Sequence, residues 1–208
     1  MNERRERLQI RGLMNTGTNF LGALLESNKM KARDDFKHAL PDLLVTPSRF
    51  LEVIMVRHPL SWVTGMQKAP YFIDCERKKS FSPNATCTLS LQLKDRPVVA
   101  HFKNIIDIWN RYYSGYLAWE HCWYIVRYED LLLDADKTIE TLTQKKRKKG
   151  PDAKKKPAKA HGHARSFAGA KAFNLKKQWK ARFTTNDLKS HCDHVNKTLL
   201  SYFHYDCP

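Results

Sequence analysis

The sequence lacks any apolar run of the about 18 residues that a membrane-spanning helix requires. Its first segment, MNERRERLQI, carries charges but no apolar core, so it does not resemble a signal peptide. We therefore expect a cytoplasmic protein, with the secretory-pathway lumen as the alternative if a signal or anchor has been removed. Two N-glycosylation sequons, Asn84-Ala85-Thr86 and Asn196-Lys197-Thr198, carry weight only in that second case.

Cysteine is scarce, and its spacing excludes the known zinc-ligand patterns. The cysteines are Cys75, Cys87, Cys122, Cys192 and Cys207. An odd number argues against a fully paired disulfide framework. Cys75 and Cys87 bracket a polar loop and are candidates for a disulfide in an oxidising compartment. The sequence implies no metal site.

Acidic residues are outnumbered, with 21 Asp and Glu against 37 Lys and Arg and a net charge of +16. The run from Lys145 to Lys171 holds eleven of the basic residues and one Asp, so it carries +10 and the rest only +6. Because its Lys, Ala, Pro, Gly and His cannot bury apolar surface, we predict a disordered insert at about 145–170 within one domain spanning 1–208. A solvated tether is the default interpretation, and a nuclear address, a nucleic-acid patch or steering of an acidic acceptor are the alternatives.

Strands alternate with helices along the chain, which predicts an α/β sandwich with a central parallel sheet flanked by helices. Leu8 to Gly12 is a predicted strand, followed by a helix over Asn19 to Glu26. The near-continuous apolar run from Phe50 to Arg57 is typical of a strand buried on both faces, and Pro59 opens the next helix. The remaining expectations are a strand at Phe36–Leu40, an irregular region at Asp74–Pro97, a long helix at Val98–Trp119, a strand at Trp123–Tyr128, a helix at Leu131–Thr143 and a last helix beginning at Thr185 or Asn186.

The stretch IRGLMNTGTNFLGALLE has the glycine frame of a P-loop, with four residues between Gly12 and Gly17. Thr18 and Asn19 stand where a P-loop has its Lys and its Mg²⁺-binding hydroxyl. Main-chain N–H groups from Asn15 to Asn19, at a helix N-terminus, are still suited to hold a phosphate. A sulfuryl group carries less negative charge than a γ-phosphate, so this loop is compatible with metal-free sulfuryl transfer.

Four segments, in this order, resemble the sulfotransferases that use 3′-phosphoadenosine 5′-phosphosulfate (PAPS). NTGTNFL is similar to their 5′-phosphosulfate loop and RHPLSWVTG to their 3′-phosphate segment, while YEDLL and WKARFTTNDL complete the order. The chain is most similar to a compact subgroup with Gly17-Thr18-Asn19, Lys37-His38 and Trp109-Asn110. The resemblance covers about Leu8 to Asp206. It implies a P-loop-like fold that transfers the sulfuryl group of PAPS to a hydroxyl or amine of a small molecule or glycan.

The resemblance also implies a PAPS site. Its residues would be Asn15, Thr16, Gly17, Thr18 and Asn19 around the 5′-phosphosulfate, Arg57 with Ser61 or Thr64 at the 3′-phosphate, and Lys176 and Lys177 as further positive charge. The sequence departs from the family pattern at several positions, among them Thr16 in place of Ser and Ala172-Phe173-Asn174 in place of an Arg-Lys-Gly loop. Asn15 replaces a basic residue, and Gly65 stands where the family has Ser.

His38 is the predicted general base, because a histidine has a pKa near working pH. It lies one residue from the family's position, which would turn it to the opposite face of a strand. Lys37 is predicted to neutralise charge on the bridging oxygen, a task that Asn15 leaves open. His58 is interpreted as structural, and Glu129 and Asp130 as organisers of the sheet end.

Four aromatic residues, Trp62, Trp109, Tyr112 and Tyr113, lie at helical spacing. They are interpreted as core residues rather than as the lining of a ligand pocket.

Three rival functions remain open. They are a P-loop nucleotide kinase, a non-catalytic polyanion or nucleic-acid binder that uses the basic run, and a sulfotransferase-like fold that binds but no longer transfers.

Overall fold

A computed structural model describes residues 8–35, 37–43, 50–76, 81–93, 96–118, 123–143 and 167–208. The strands are β1 (Leu8–Gly12), β2 (Ala32–Arg33), β3 (Leu51–Val56), β4 (Ile73–Cys75), β5 (Cys87–Leu93), β6 (Arg96–Phe102) and β7 (Trp123–Arg127). The α-helices are α1 (Thr18–Ser27), α2 (Pro59–Lys68), α3 (Ile105–Leu117), α4 (Tyr128–Leu133), α5 (Ala135–Thr143), α6 (Phe167–Leu175), α7 (Thr185–His194) and α8 (Lys197–Tyr202).

The central sheet is parallel and has the strand order β2-β1-β3-β7. Strand β3 lies inside it, with Val53 opposite Ile10 on one side and Tyr124 on the other. This interior place explains the apolar run of β3, since both faces of the strand are covered. The predicted α/β architecture with a central parallel sheet is therefore confirmed.

Helices cover both faces of this sheet. Val53 and Met55 pack with the apolar residues of α1, α4 and α5, whereas Ile54 and Val56 pack with those of α2 and α3. Successive residues of a strand point to opposite faces, so one short strand serves two apolar cores. Helices α1 and α2, which follow adjacent strands, consequently lie on opposite faces of the sheet.

The region Asp74–Pro97 was predicted to be irregular, and that prediction is wrong. Strands β4, β5 and β6 form an antiparallel sheet in which Ser90 lies opposite Val99. The predicted helix at Val98–Trp119 therefore begins later, at Ile105. The side chain of Asn104 caps its start by accepting a hydrogen bond from the Asp107 N–H at 2.9 Å.

Two other predicted elements differ from the structure. The second strand is Ala32–Arg33 instead of Phe36–Leu40; residues 37–40 form a turn and loop, and Phe36 lies outside the described residues. The helix predicted from Leu131 to Thr143 is two helices, divided at Asp134. The Asp134 carboxylate accepts from the Lys137 N–H at 3.0 Å and so caps the start of α5. The helix predicted to be last, α7, is followed by α8.

Four of the cysteines are paired in disulfides. Cys75 joins Cys87, as expected for an oxidising compartment, and Cys192 joins Cys207, which the sequence did not predict. Cys122 and most of the basic insert, residues 144–166, lie outside the described residues, so the single interrupted domain stays a prediction. None of the described helices is long and apolar enough to cross a membrane.

Candidate functional site

The candidate site lies at the carboxyl edge of the central sheet, between the ends of β1 and β3. In the sheet, β2 lies on one side of β1 and β3 lies on its other side, so the strand order reverses direction at β1. The helices after β1 and β3 cover opposite faces of the sheet, and the loop after β1 contacts α2 through the Asn15 side chain and the Met14 carbonyl. Open α/β sheets bind their ligands in the crevice at such a switch point. The predicted phosphate loop and Arg57 both follow these two strand ends.

The loop after β1 needs both glycines of its frame. Gly17 has φ +93°, in the left-handed region, and a Cβ there would lie 2.4 Å from a ring carbon of Tyr128. A Cβ on Gly12 would lie 2.7 Å from Thr16 Oγ1. Asn15 is also left-handed, with φ 62°, a conformation that asparagine tolerates. The glycine spacing therefore reflects a tightly packed turn.

The first turn of α1 presents uncapped main-chain N–H groups. The first intrahelical bond runs from Leu21 N to Gly17 O at 3.0 Å, which leaves the preceding amides without a helical acceptor. Gly17 has no side chain to cap them, and the first turn has no acidic residue. Thr16 Oγ1 donates to Leu13 O and Asn15 Nδ2 to Ala69 O, so neither side chain serves as a cap. Such a helix start favours an anion.

Arg57 is buried beside this loop. Its Nη1 donates to Asn15 O at 2.9 Å, and its Nε lies 3.0 Å from Ser61 Oγ and 3.1 Å from Asn174 Oδ1. The guanidinium lies 5.2 Å from the centre of the Tyr128 ring, in a cation–π contact. Burial lowers the pKa of Arg57 from its ordinary value. Arg57 is 7% exposed and makes no ion pair with any described residue, although the nearby Glu129 carboxylate partly offsets the lowering of its pKa.

A buried charge normally has a counter-charge. The hydrogen bonds of Arg57 to described residues involve neutral oxygens and use Nε and Nη1, so Nη2 remains for a ligand. Because Arg57 Nη1 donates to Asn15 O, the guanidinium lies against the loop that precedes the uncapped first turn of α1. The candidate site thus combines a buried cation with an uncapped helix start, two features that each favour an anion.

Ser61 and Thr64 lie on the first turns of α2 and are buried. Ser61 Oγ donates to Asn174 Oδ1 at 2.7 Å, and Thr64 Oγ1 donates to Ser61 O at 2.7 Å. Ser61 is therefore part of the Arg57 cluster. The Thr64 hydroxyl instead bonds within its own helix. Gly65 lies against Arg57, because a Cβ there would be 3.2 Å from Arg57 Nη1.

His38 lies at the end of β1. Its Nδ1 is 2.6 Å from Gly12 O, and because a carbonyl only accepts, Nδ1 carries the proton. Nε2 is then the nitrogen with a free lone pair, as a general base requires. Burial is the main cause that lowers the pKa of His38 to about 4, so the expectation of a pKa near working pH is wrong: the ring is neutral at pH 7 but is a weaker base than an ordinary histidine. Residues 37–40 form no strand, so the expected rotation of His38 to an opposite strand face does not apply.

Lys37 lies beside the first turn of α1. Its Nζ is 2.8 Å from Asn19 Oδ1 and 2.7 Å from Asp34 Oδ2. Asn19 is the second residue of α1, so the ammonium lies next to the uncapped amides. The ammonium of Lys37 is ion-paired with Asp34 in this position.

The two C-terminal lysines differ in their surroundings. Lys177 pairs with the Asp206 carboxylate at 2.7 Å, and Lys176 is exposed. Asp206 O also accepts from His58 Nε2 at 2.9 Å. The His58 side chain is buried, and its ring centre lies 4.5 Å from the centre of the Trp179 ring. Burial lowers the pKa of His58 to about 4. His58 is therefore a buried structural residue, as expected, whereas Lys177 forms a partly exposed ion pair.

Aromatic residues fix the main chain of the site. Their polar atoms donate to backbone carbonyls of the segments that surround the crevice: Trp62 to Met14, Trp109 to Arg57, Tyr112 to Lys37 and Tyr113 to Met55. All four side chains are fully buried. Their interpretation as core residues is confirmed, and they hold the loops in place before any ligand binds.

Sequence reasoning missed two residues of this cluster. Tyr128 stacks on Arg57 and covers Gly17; its position directly after β7, a neighbour of β3, was a usable signal. Asn174 accepts from Arg57 across 117 positions of sequence; the resemblance aligned its segment with a family loop but gave the Asn174 side chain no role. Glu129 does organise the sheet end, because its carboxylate accepts from His58 N and from the Tyr205 hydroxyl.

The steric role of Gly17 gives a testable prediction. Gly17→Ala is expected to lower the free energy of unfolding by about 2–4 kcal/mol, since it combines a left-handed backbone with a clash against Tyr128. The matched control is Gly22→Ala in α1, where the added Cβ would meet only Ile10 Cδ1, at 3.6 Å. That change is expected to stabilise the chain by up to about 1 kcal/mol. Urea unfolding measures both, and equal effects would contradict the proposed packing.

No family model, no curated protein and no solved structure matches this chain.

Proposed function

We propose that this chain has a P-loop-like fold, binds PAPS and transfers its sulfuryl group to a hydroxyl or amine of a small-molecule or glycan acceptor. The observation that carries the proposal is the buried Arg57, which has no ion pair with a described residue and donates to the loop before an uncapped helix start. This arrangement provides two separate points for anionic groups on one crevice. Adenosine nucleotides with phosphates on both the 3′ and 5′ positions have that charge distribution.

Each group has a defined task in this proposal. The amides of Thr18, Asn19 and Phe20 hold the 5′-phosphosulfate end, and Arg57 holds the 3′-phosphate through the free part of its guanidinium. Ser61 and Asn174 orient Arg57. PAPS supplies the sulfuryl group, and its bisphosphate portion is the leaving group.

His38 and Lys37 handle the proton and the charge. As the new bond to sulfur forms, the acceptor's proton moves to His38 Nε2, whose lone pair is free because Nδ1 is bonded to Gly12 O. The bond between sulfur and the bridging phosphate oxygen breaks, and the leaving oxygen keeps the electron pair. Lys37, beside Asn19, stabilises the negative charge that grows there.

Calorimetry separates this function from its main rival. Adenosine 3′,5′-bisphosphate without magnesium is expected to bind at least about tenfold more tightly than ATP with magnesium. The reason is that Thr18 and Asn19 replace the P-loop Lys and Mg²⁺ ligand, whereas Arg57 favours a 3′-phosphate. Tighter binding of ATP with magnesium would favour a kinase and reject the proposal.

The same titration tests the polyanion-binder alternative. A chain from which residues 145–166 are deleted is expected to keep its affinity for adenosine 3′,5′-bisphosphate, because every proposed contact lies elsewhere. Loss of that affinity on deletion would place binding in the basic run instead.

A further inference from the structure

The sequon Asn84-Ala85-Thr86 occupies the connection between β4 and β5. Two residues of this connection are buried in the fold: Phe81 is 2% exposed and Ala85 is 5% exposed. Asn84 and Thr86 alternate with them and are exposed. Ala85 N donates to Ser82 O at 3.0 Å and closes a turn around Asn84. The Asn84 side chain makes no hydrogen bond with a described residue.

A disulfide lies directly beside this sequon. Cys87 follows Thr86, and it is the cross-strand partner of Cys75 in the antiparallel sheet. Both cysteines are buried, and a second disulfide joins Cys192 in α7 to Cys207. Structural disulfides persist in oxidising compartments, whereas the cytosol keeps thiols reduced. The two disulfides therefore place folding in a compartment where sequons are used.

The second sequon has a different environment. Asn196 caps α8: its Oδ1 accepts from Thr198 N at 2.9 Å and from Leu199 N at 3.2 Å. Its own N–H donates to Asn110 Oδ1 at 2.9 Å. The Asn196 side chain is thus engaged in the fold, which distinguishes it from Asn84.

We propose that Asn84 is an N-glycosylation site and that the chain folds in the lumen of the secretory pathway. The sequence alone favoured a cytoplasmic location, with the lumen as the alternative, and we propose the lumen here. The glycosylation proposal does not depend on the proposed sulfuryl transfer. The co-reactant is an oligosaccharide carried on a lipid diphosphate. Asn84 Nδ2 forms a bond to the anomeric carbon, the bond from that carbon to the phosphate oxygen breaks, the lipid diphosphate leaves with the electron pair, and the amide proton passes to a base of the transferase.

The surface beside the sequon has room for the first sugars. A shallow depression of about 450 Å³ opens there, and its lining includes Thr86, Thr88, His101 and Lys103. Hydroxyl, imidazole and ammonium groups suit the hydroxyls of a sugar. A glycan at Asn84 would lie at the antiparallel sheet, which is separate from the central sheet that carries the candidate nucleotide site.

The test uses full-length protein isolated from its own cells, with free thiols blocked at lysis. Peptide-N-glycosidase in heavy-oxygen water is expected to convert Asn84 to labelled aspartate, read by mass spectrometry of the peptide. The cysteines at 75, 87, 192 and 207 are expected to escape alkylation until a reductant is added. Recovery of the Asn84 peptide unmodified, or alkylation of those four cysteines without reductant, would overturn the proposal.

Matched variants in the same cells assign the glycan to one residue. Asn84→Gln and Thr86→Ala are each expected to abolish the glycosidase-sensitive shift in gel mobility. Thr86→Ser is expected to retain the shift because it keeps the sequon hydroxyl, and Asn196→Gln is expected to retain it because the glycan is on Asn84. A full shift in Asn84→Gln, or its loss in Asn196→Gln, would contradict the assignment.

Discussion

An Arg57→Ala variant is expected to bind adenosine 3′,5′-bisphosphate about a hundredfold more weakly, a loss of about 2.7 kcal/mol. The physical reason is that the buried guanidinium makes no ion pair with a described residue, and a guanidinium binds a phosphate through charge-assisted hydrogen bonds. Arg57→Lys keeps the charge but loses the planar fork, so we expect about a tenfold loss. Titration calorimetry measures both.

Two controls accompany the Arg57 variants. Arg111→Ala removes an arginine whose ion pair with Asp42 is exposed on α3, and it is expected to leave nucleotide affinity unchanged. Thermal unfolding of Arg57→Ala checks that the loop survives, because Arg57 also donates to Asn15 O. A folded Arg57→Ala chain with undiminished affinity would remove Arg57 from the site.

Replacement of the proposed base is expected to affect turnover far more than binding. His38→Gln should lower the rate of sulfuryl transfer about 100- to 10,000-fold, the range for loss of a general base. The glutamine amide is still able to donate to Gly12 O, so affinity for adenosine 3′,5′-bisphosphate should remain within about twofold. Single-turnover transfer from labelled PAPS to a panel of phenols, amines and oligosaccharides measures the rate, and exposed His101 provides the control variant. Equal rates in His38→Gln and the parent would exclude His38 as the base.

The pH dependence follows from the lowered pKa of His38. Burial lowers this pKa to about 4, and only the neutral ring accepts a proton. The rate is therefore expected to be flat from about pH 8 to about pH 5 and to fall as the pH drops through about 4. An unperturbed histidine, with a pKa near 6.5, would already be mostly protonated at pH 5. A rate that falls with a midpoint near 6.5 would show that His38 is less buried than in this structure.

Local patterns predicted the elements on which the site is built. The apolar run of β3 and the glycine frame after β1 each reflect one strong physical demand: burial on both faces, and a turn with space only for glycine. These signals are contained within a few residues. They therefore predicted the strand ends and the loop from the sequence, whereas Arg57 was assigned to the site largely through the family resemblance.

Long-range contacts decided the elements that the sequence did not predict. Residues 37–40 look like a strand, but Lys37 O accepts from Gly12 N and from the Tyr112 hydroxyl, which fixes this segment as a loop. The contact of Asn174 with Arg57 depends on how α6 returns to the sheet. Neither arrangement has a signature in neighbouring residues.

The antiparallel sheet was missed for another reason. The stretch CTLSLQL alternates, with Leu89 and Leu91 buried and Ser90 exposed, which is the period of a half-buried strand. The flanking segments are also polar, so overall composition favours a loop here. The alternation of apolar and polar residues is the sequence signal for β5, and it was a better guide to this strand than the overall polarity.

A crystal structure of the chain soaked with adenosine 3′,5′-bisphosphate, without magnesium, tests the proposed site most directly. We expect the 5′-phosphate against the amides of Thr18, Asn19 and Phe20, and the 3′-phosphate on Arg57. Bisphosphate density away from this crevice, or a crevice that stays closed by the protein's own side chains, would contradict the proposed function.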